Sequence, residues 1–118
     1  MPETRVLFVE DEMLLRELTR QDLADSGFEV TCAANGTEAL SMLENGKVFD
    51  TLITDIRMPG EPDGWELARL ARDRQPGLRV IYVSGYSAEQ VRCVPGGVFL
   101  KKPYRFEELR GAMAAAGC

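Results

Sequence analysis

The sequence predicts an α/β protein, a doubly wound parallel sheet of five strands with helices on both faces. Short runs rich in β-branched and aromatic residues alternate along the chain with segments in which apolar residues recur at helical spacing. The strand-like runs at 5–9, 51–54 and 79–83 are continuously apolar rather than alternating. Such runs are typical of strands that are buried on both faces of a parallel sheet.

The elements follow in strict alternation. The strands are RVLFV (5–9), EVTCA (29–33), TLIT (51–54), RVIYV (79–83) and VFL (98–100). Helical spacing appears at Leu15 and Leu18, at Ala39, Leu40 and Leu43, at Leu67, Leu70 and Ala71, and at Phe106, Leu109 and Met113. Gly27, Gly46 and Pro76-Gly77 punctuate the ends of the first three helices. This order predicts right-handed crossovers and a ligand site beyond the carboxyl ends of the strands.

Length and composition set the class of protein. The 118 residues suit one domain, and 14 Lys+Arg against 19 Asp+Glu give a net charge of −5, which argues against direct nucleic-acid binding. Apolar runs fall short of the roughly 18 residues of a membrane span, and the N-terminus lacks a signal peptide's apolar region, so we expect a cytoplasmic protein. The absence of His excludes His-dependent catalysis, and Cys32, Cys93 and Cys118 are interpreted as core or terminal thiols.

Acidic residues follow two of the predicted strands. Glu10 and Asp11 come after the first strand, and Asp55 ends the third. Two carboxylates about 4 Å apart repel each other by roughly 4 kcal/mol at an effective dielectric near 20, so three acids at one edge call for a counter-charge. Mg²⁺ fits this donor set because it prefers oxygen ligands and usually combines one or two carboxylates with a phosphate.

A hydroxyl and an ammonium are predicted at the same edge. Ser84 ends the fourth strand, and Lys101 and Lys102 follow the fifth. These groups would bind the oxygens of a phosphoryl group after attack by Asp55 on phosphorus. Taken singly, each residue is more often an ordinary turn or helix-cap residue. Their coincidence at successive strand ends favours a functional site.

The ordered motifs FVEDE, LITDIRMPG with DGWEL, VSGY and LKKPY resemble the receiver domain of bacterial two-component response regulators. The resemblance covers essentially the whole chain, 1–118, as a single domain. It implies the flavodoxin-like strand order 2-1-3-4-5. It also implies phosphorelay signal transduction, in which a sensor histidine kinase or phosphotransfer protein donates a phosphoryl group and an unidentified output protein reads the switched surface.

The same resemblance assigns roles to individual residues. Asp55 is the expected phospho-acceptor, and Ser84 and Lys102 are expected to bind the phosphoryl group. Asp11 and Asp55 would ligate Mg²⁺ together with the backbone carbonyl of Arg57, and Glu10 would assist through water. The bond between Lys102 and Pro103 is expected to be cis. Phe99 occupies the position of the ring that follows the hydroxyl when the family switches, and Arg57 and Tyr86 flank the site.

The chain departs from the family pattern in two places. The 17 residues between Ser84 and Lys102 contain Pro95-Gly96-Gly97, so we expect a fourth helix that is short or partly unwound, and a conventional dimer on that face is not expected. The loop MPGEPDG has one extra residue. No output domain follows the last helix, so the chain is expected to be either a stand-alone receiver or a piece of a longer hybrid kinase or regulator.

Two other classes of protein are alternatives to a receiver. A small Mg²⁺-dependent phosphatase also uses an aspartate at a strand end, but it usually carries a second acid two residues later, where this chain has Arg57. A protein-binding module without phosphorylation would not need the intact set of acids, hydroxyl and lysine. The expected protein is therefore a phospho-acceptor signalling domain rather than an enzyme.

Overall fold

The computed structural model of the protein describes residues 4–58, 60–85 and 94–115. Within them, five strands and four helices follow in chain order. They are β1 (Arg5–Val9), α1 (Met13–Asp25), β2 (Glu29–Ala33), α2 (Gly36–Glu44), β3 (Thr51–Asp55), α3 (Gly64–Arg74), β4 (Arg79–Ser84), β5 (Val98–Lys101) and α4 (Phe106–Ala115).

The strands form one parallel sheet in the order β2-β1-β3-β4-β5. Every residue of the central strand β3 is buried, because β1 and β4 pair with it on either side and helices cover both faces. The predicted fold class and strand order are confirmed. Asp55 and Ser84 are the last residues of their strands, so the sheet itself positions both side chains.

Alternate residues of the strands feed two separate cores. Leu7, Val9, Leu52 and Tyr82 pack in one layer with buried residues of α2 and α3. The other layer pairs the intervening strand residues with α1 and α4, and consists of Val6, Phe8, Ile53, Ile81, Val83, Leu23, Leu109, Ala112 and Met113. This division follows from the period of two in a strand, which sends neighbouring side chains to opposite faces.

Two helices begin at side-chain caps. The Asn35 side chain accepts a hydrogen bond from the backbone N–H of Glu38 at 2.8 Å, and Asp63 accepts one from Glu66 at 2.9 Å. Each cap satisfies a backbone donor that the first turn of a helix leaves unpaired. The Asp63 cap fixes the point at which the loop after β3 enters α3.

The apolar spacing of α1 predicts the helix but not its buried face. Leu18 is 53% exposed, whereas Thr19 and Leu23 are buried. Thr19 lies 3.4 Å, oxygen to oxygen, from the hydroxyl of Tyr104, which is 85 positions away in the chain. A contact with a residue so distant in the sequence cannot be inferred from the local apolar pattern of α1.

The predicted short fourth helix falls on 86–93, as do Tyr86 and Cys93, and these lie outside the described residues together with Cys118. The turn that leads into β5 is described, and the backbone N–H of Val94 donates to the Tyr82 hydroxyl at 2.9 Å. Cys32 is a partly buried free thiol. Among the helices of 4–58, 60–85 and 94–115, none has the length and apolar character needed to cross a bilayer.

Candidate functional site

The carboxyl ends of β1, β3, β4 and β5 bring the predicted site residues to one edge of the sheet. Glu10 follows β1 and is 2% exposed, Asp55 ends β3 at 8%, and Ser84 ends β4 at 3%. Lys102 follows β5, and its backbone N–H donates to the carbonyl of Ser84 at 2.8 Å. The parallel sheet thus assembles groups that are far apart in the sequence.

Three carboxylates form a cluster at this edge. One oxygen from each of Glu10, Asp11 and Asp55 lies within 4.8 Å of the other two. Glu10 and Asp55 are buried, whereas Asp11 is exposed, so the cluster opens toward solvent on the Asp11 side. Hard oxygen donors of high negative charge suit Mg²⁺, which keeps several waters and needs only part of its shell from protein. The donor set therefore fits the metal that the sequence predicts.

Lys102 supplies the counter-charge within the cluster. Its ammonium Nζ lies 2.5 Å from Oε1 of Glu10 and 3.0 Å from Oδ2 of Asp55. The Lys102 side chain is 21% exposed, so the pairs are largely shielded from water. The neighbouring Lys101 is exposed. One cation thus bridges two carboxylates that come from different strands.

Burial and the bridging lysine act in opposite directions on these acids. Burial raises the pKa of Glu10 from 4.5 to about 7, against the lowering effect of its hydrogen bond from Lys102. Burial also raises the pKa of Asp55, again opposed by Lys102. Burial lowers the pKa of Lys102, but its hydrogen bonds to the two carboxylates outweigh that effect and raise it. A divalent cation at this cluster competes with protons as well as with the ammonium.

A close backbone approach fixes the end of β3. A Cβ on Gly64 would lie 2.3 Å from the carbonyl oxygen of Asp55 and 2.6 Å from Cα of Ile56, so only glycine fits there. The N–H of Gly64 donates to the Ile56 carbonyl at 2.8 Å, and the hydroxyl of Thr54 donates to the Asp55 carbonyl at 2.9 Å. The motif DGWEL contains Gly64, but glycine there looks like ordinary helix-start punctuation in the sequence.

The sequence reasoning missed two contacts that hold Glu10. Arg16 donates from Nη1 to the carbonyl oxygen of Glu10 at 2.8 Å, and the N–H of Glu12 donates to the Glu10 side chain at 3.1 Å. Arg16 lies in the first turns of α1, where an arginine resembles any solvated helix residue. No signal in the sequence separates it from the other basic residues of that helix.

Three further features that the sequence predicts, at Arg57, Phe99 and Pro103, lie in or next to the strands that carry the site. Arg57 lies in the bend directly after β3 and is exposed. Phe99 pairs with Tyr82 in the sheet register and packs, partly buried, against the core on the α2 and α3 side. The peptide bond between Lys102 and Pro103 is cis, as expected.

A cavity of about 400 Å³ opens beside the bridging lysine. Its lining is formed by Glu12, Leu15, Gly85, Lys102, Pro103 and Tyr104. Lys102 thus lines this cavity and also contacts the carboxylate cluster through its ammonium.

A doubly wound sheet with an acidic triad, a buried hydroxyl and a bridging lysine at its carboxyl edge defines a receiver domain. Residues 6–114 match the family model described as the response regulator receiver domain. The chain belongs to that family. Its function is accordingly phosphorelay signalling in a two-component system, and the match favours neither a phosphatase nor a module without phosphorylation.

Individual relatives agree with this assignment. The chain is 38% identical over 109 residues to the sensor kinase CckA of Brucella abortus, covering 88% of this chain but only 11% of the kinase. A response regulator receiver protein from Sinorhizobium medicae superposes with a TM-score of 0.90 at 35% identity, covering 95% of this chain and 92% of that one. The response regulator TrrA of Thermotoga maritima, solved in complex with Mg²⁺-BeF, gives a TM-score of 0.81 at 33% identity, with coverages of 92% and 94%.

Family membership carries a general chemistry. Receiver domains bind Mg²⁺ at an acidic pocket and accept phosphoryl groups from histidine kinases or phosphotransfer proteins. A phospho-acceptor signalling role for this chain follows.

Proposed function

We propose that Asp55 is the phospho-acceptor of this receiver domain. The observation that carries the proposal is the Lys102 ammonium, which lies 3.0 Å from Asp55 and 2.5 Å from Glu10 inside a cluster of three carboxylates. A largely shielded cation in that position offsets the negative charge of the cluster. Asp55 is the cluster member at the end of the central strand, where its backbone is fixed by β4 on one side and by Gly64 on the other.

In the transfer step, a carboxylate oxygen of Asp55 attacks the phosphorus of a phosphohistidine. An O–P bond forms, the N–P bond breaks, and the imidazole nitrogen keeps the electron pair. Asp55 must be ionised to attack, and burial opposes ionisation by raising its pKa. The hydrogen bond from Lys102 to Oδ2 of Asp55 partly offsets that penalty.

Glu10, Asp11, Asp55 and the backbone carbonyl of Arg57 would hold Mg²⁺. When bound, the ion supplies positive charge beside the phosphoryl oxygens and the attacking carboxylate. Asp11 suits an entry position because it is the exposed member of the cluster. The carbonyl of Arg57 suits the set because the bend that carries it begins directly after Asp55.

Ser84 and Lys102 bind the transferred group in this proposal. Both lie at the edge that contains Asp55, and the Ser84 hydroxyl is buried at the end of the neighbouring strand. Phosphorylation replaces a charge of −1 by a group near −2 with strong acceptor oxygens. Ser84 and Lys102 then shift their hydrogen bonds toward that group, and this rearrangement changes the surface that an output protein reads.

We propose that the donor, a sensor histidine kinase or phosphotransfer protein, covers the exposed face of α1. In the described part of the chain, three of the four exposed large apolar side chains lie on this helix: Met13 at 73%, Leu14 at 65% and Leu18 at 53%. Leu15, which follows Leu14 in this helix, lines the cavity beside Lys102. A protein that brings its phosphohistidine to Asp55 must approach this neighbourhood, and it would shield the apolar face from water.

The wider setting is proposed on the same grounds. We propose that residues 1–118 act as one receiver domain, supported by the family match over 6–114. It would work in the cytoplasm, where its donor's phosphohistidine would be formed, without direct contact to nucleic acid. It would perform no reaction other than its own phosphorylation and dephosphorylation.

Acetyl phosphate with Mg²⁺ tests the proposal without a partner protein. Intact mass spectrometry should detect one added phosphoryl group on the wild type and none on Asp55→Asn or in metal-free buffer. Asp73→Asn is a matched control because Asp73 lies exposed on α3, away from the site. An adduct that persists in Asp55→Asn contradicts the proposal. Absence of any adduct and of phosphate release in the wild type contradicts it as well.

A further inference from the structure

The loop between β3 and α3 rests on the first turn of α2. The hydroxyl of Thr37 donates to the carbonyl oxygen of Glu61 at 2.6 Å. Gly36 is buried, and a Cβ at that position would lie 2.2 Å from the carbonyl oxygen of Pro62. Two adjacent residues of α2 therefore meet two adjacent backbone carbonyls of the loop. We call Gly36 and Thr37 the loop seat.

Packing against α3 does little to hold the same stretch of loop. The loop and α3 border an open groove of about 630 Å³. Its lining consists of Gly60, Glu61, Pro62, Asp63, Glu66 and Leu70. Gly60 and Glu61 are also exposed. Among the described residues, the contacts with Gly36 and Thr37 of α2 restrain the middle of this loop.

The two ends of the loop are fixed independently of the seat. At its base the N–H of Gly64 donates to the carbonyl of Ile56 at 2.8 Å, and the Ile56 N–H donates to Val83 at 3.0 Å. The Asp63 side chain caps α3. Arg57 is the first residue beyond this closed base, and the stretch 60–62 held by α2 follows closely in the chain.

We propose that Gly36 and Thr37 are positioning residues for the divalent cation. By holding 60–62 against α2, the loop seat restricts the backbone that continues from Arg57 and so orients the Arg57 carbonyl toward the carboxylate cluster. This inference rests on the proposed function, in which that carbonyl is a metal ligand. Neither seat residue belongs to the cluster or contributes a ligand.

The test uses Thr37→Val, which keeps the shape of the side chain but removes its hydroxyl, and Thr37→Ser, which keeps the hydroxyl. Ser41→Ala is the matched control, because it removes a hydroxyl from an exposed position of the same helix. The first readout is the carbon chemical shift of the Glu61 carbonyl in metal-free protein, because this carbonyl accepts the hydrogen bond from Thr37. Loss of that bond should move the resonance upfield in Thr37→Val, with Thr37→Ser and Ser41→Ala near the wild type.

The second readout is the dissociation constant for Mg²⁺, followed by the fluorescence of Trp65. This is the single tryptophan of the chain; it follows Gly64 in α3 and its ring lies 4.7 Å from that of Tyr82. We expect Thr37→Val to weaken Mg²⁺ binding by about two- to fivefold, within the range of one hydrogen bond. Gly36→Ala should weaken it more, because its methyl group collides with backbone rather than with a movable side chain.

Each outcome decides the inference. An upfield shift of the Glu61 carbonyl resonance, together with weaker Mg²⁺ binding and recovery in Thr37→Ser, supports it. Unchanged Mg²⁺ binding in Thr37→Val overturns it. Carbonyl shifts of similar size throughout β3 show that Thr37 affects the whole fold, which also overturns it. A wild type that binds no Mg²⁺ refutes the proposed function itself, and the inference with it.

Discussion

Replacing Lys102 by methionine removes the positive charge at the centre of the site and keeps a side chain of similar length. In the metal-free protein the change leaves Glu10 and Asp55 facing each other without the ammonium that lies 2.5 and 3.0 Å from them. We therefore expect Lys102→Met to lower the free energy of unfolding and to abolish phosphorylation. We expect Mg²⁺ to restore much of the lost stability, because the ion supplies the missing positive charge.

The size of the effect follows from burial and proton uptake. Removing one partner of a fully buried ion pair costs about 3–5 kcal/mol. Lys102 is 21% exposed, and Glu10, with a pKa of about 7, takes up a proton when the ammonium is absent. Both facts reduce the cost, so we expect about 2–3 kcal/mol at pH 8. At about 4 °C per kcal/mol for a domain of this size, the Tm falls by about 10 °C.

Urea denaturation of both proteins at pH 8, with and without saturating Mg²⁺, measures this effect. Lys101→Met is the matched control, since it removes an adjacent, exposed lysine. Mg²⁺ should reduce the difference in stability between Lys102→Met and the wild type to less than half of its metal-free value. If Lys102→Met is as stable as Lys101→Met without metal, the carboxylate cluster does not need the Lys102 ammonium. That result would refute the predicted loss of stability.

Two further predictions concern pH and backbone packing. Because the pKa of Glu10 rises from 4.5 to about 7 on folding, the folded state binds more protons between these values. The free energy of unfolding of the metal-free protein should therefore fall as pH rises from 4.5 to 7, by up to about 3 kcal/mol. Urea titrations should show a smaller dependence of stability on pH in Glu10→Gln, and also in the wild type with Mg²⁺. An equal dependence in metal-free Glu10→Gln would contradict the assignment of this effect to Glu10. Gly64→Ala places a methyl group against the Asp55 carbonyl and should lower the free energy of unfolding by about 2–3 kcal/mol in the same assay. Gly77→Ala is the control and should lower it far less, because its methyl group meets open space. Equal effects of the two substitutions would refute the close approach of Gly64 to β3.

The fold and most of the site could be predicted because both depend on regular patterns. Alternation of continuous apolar runs with helical spacing determines a parallel sheet, and in such a sheet the strand ends gather at one edge. Asp55 and Ser84 could therefore be placed together without coordinates. Lys102 could be distinguished from Lys101 only through the family resemblance, because both follow the same strand.

Other features depend on contacts that the local sequence does not encode. The buried face of α1 is set by Thr19 meeting Tyr104, and the apolar pattern pointed instead to Leu18. Gly36 and Gly64 resemble ordinary helix-start residues, although each lies where a Cβ would meet backbone of the β3–α3 loop or of β3 itself. Glu10 was expected to act through water on the metal, and its direct contact with Lys102 appears only when β1 and β5 are placed in space.

We propose that Asp55, rather than another acid of the cluster, receives the phosphoryl group. Reduction with borohydride after treatment with acetyl phosphate and Mg²⁺ converts an acyl phosphate to the corresponding alcohol, and peptide mass spectrometry then locates the modified residue. We predict homoserine at position 55 and unmodified Glu10 and Asp11. Reduction at Glu10 or Asp11 with Asp55 intact would contradict the account, because those carboxylates would then be the nucleophiles rather than metal ligands.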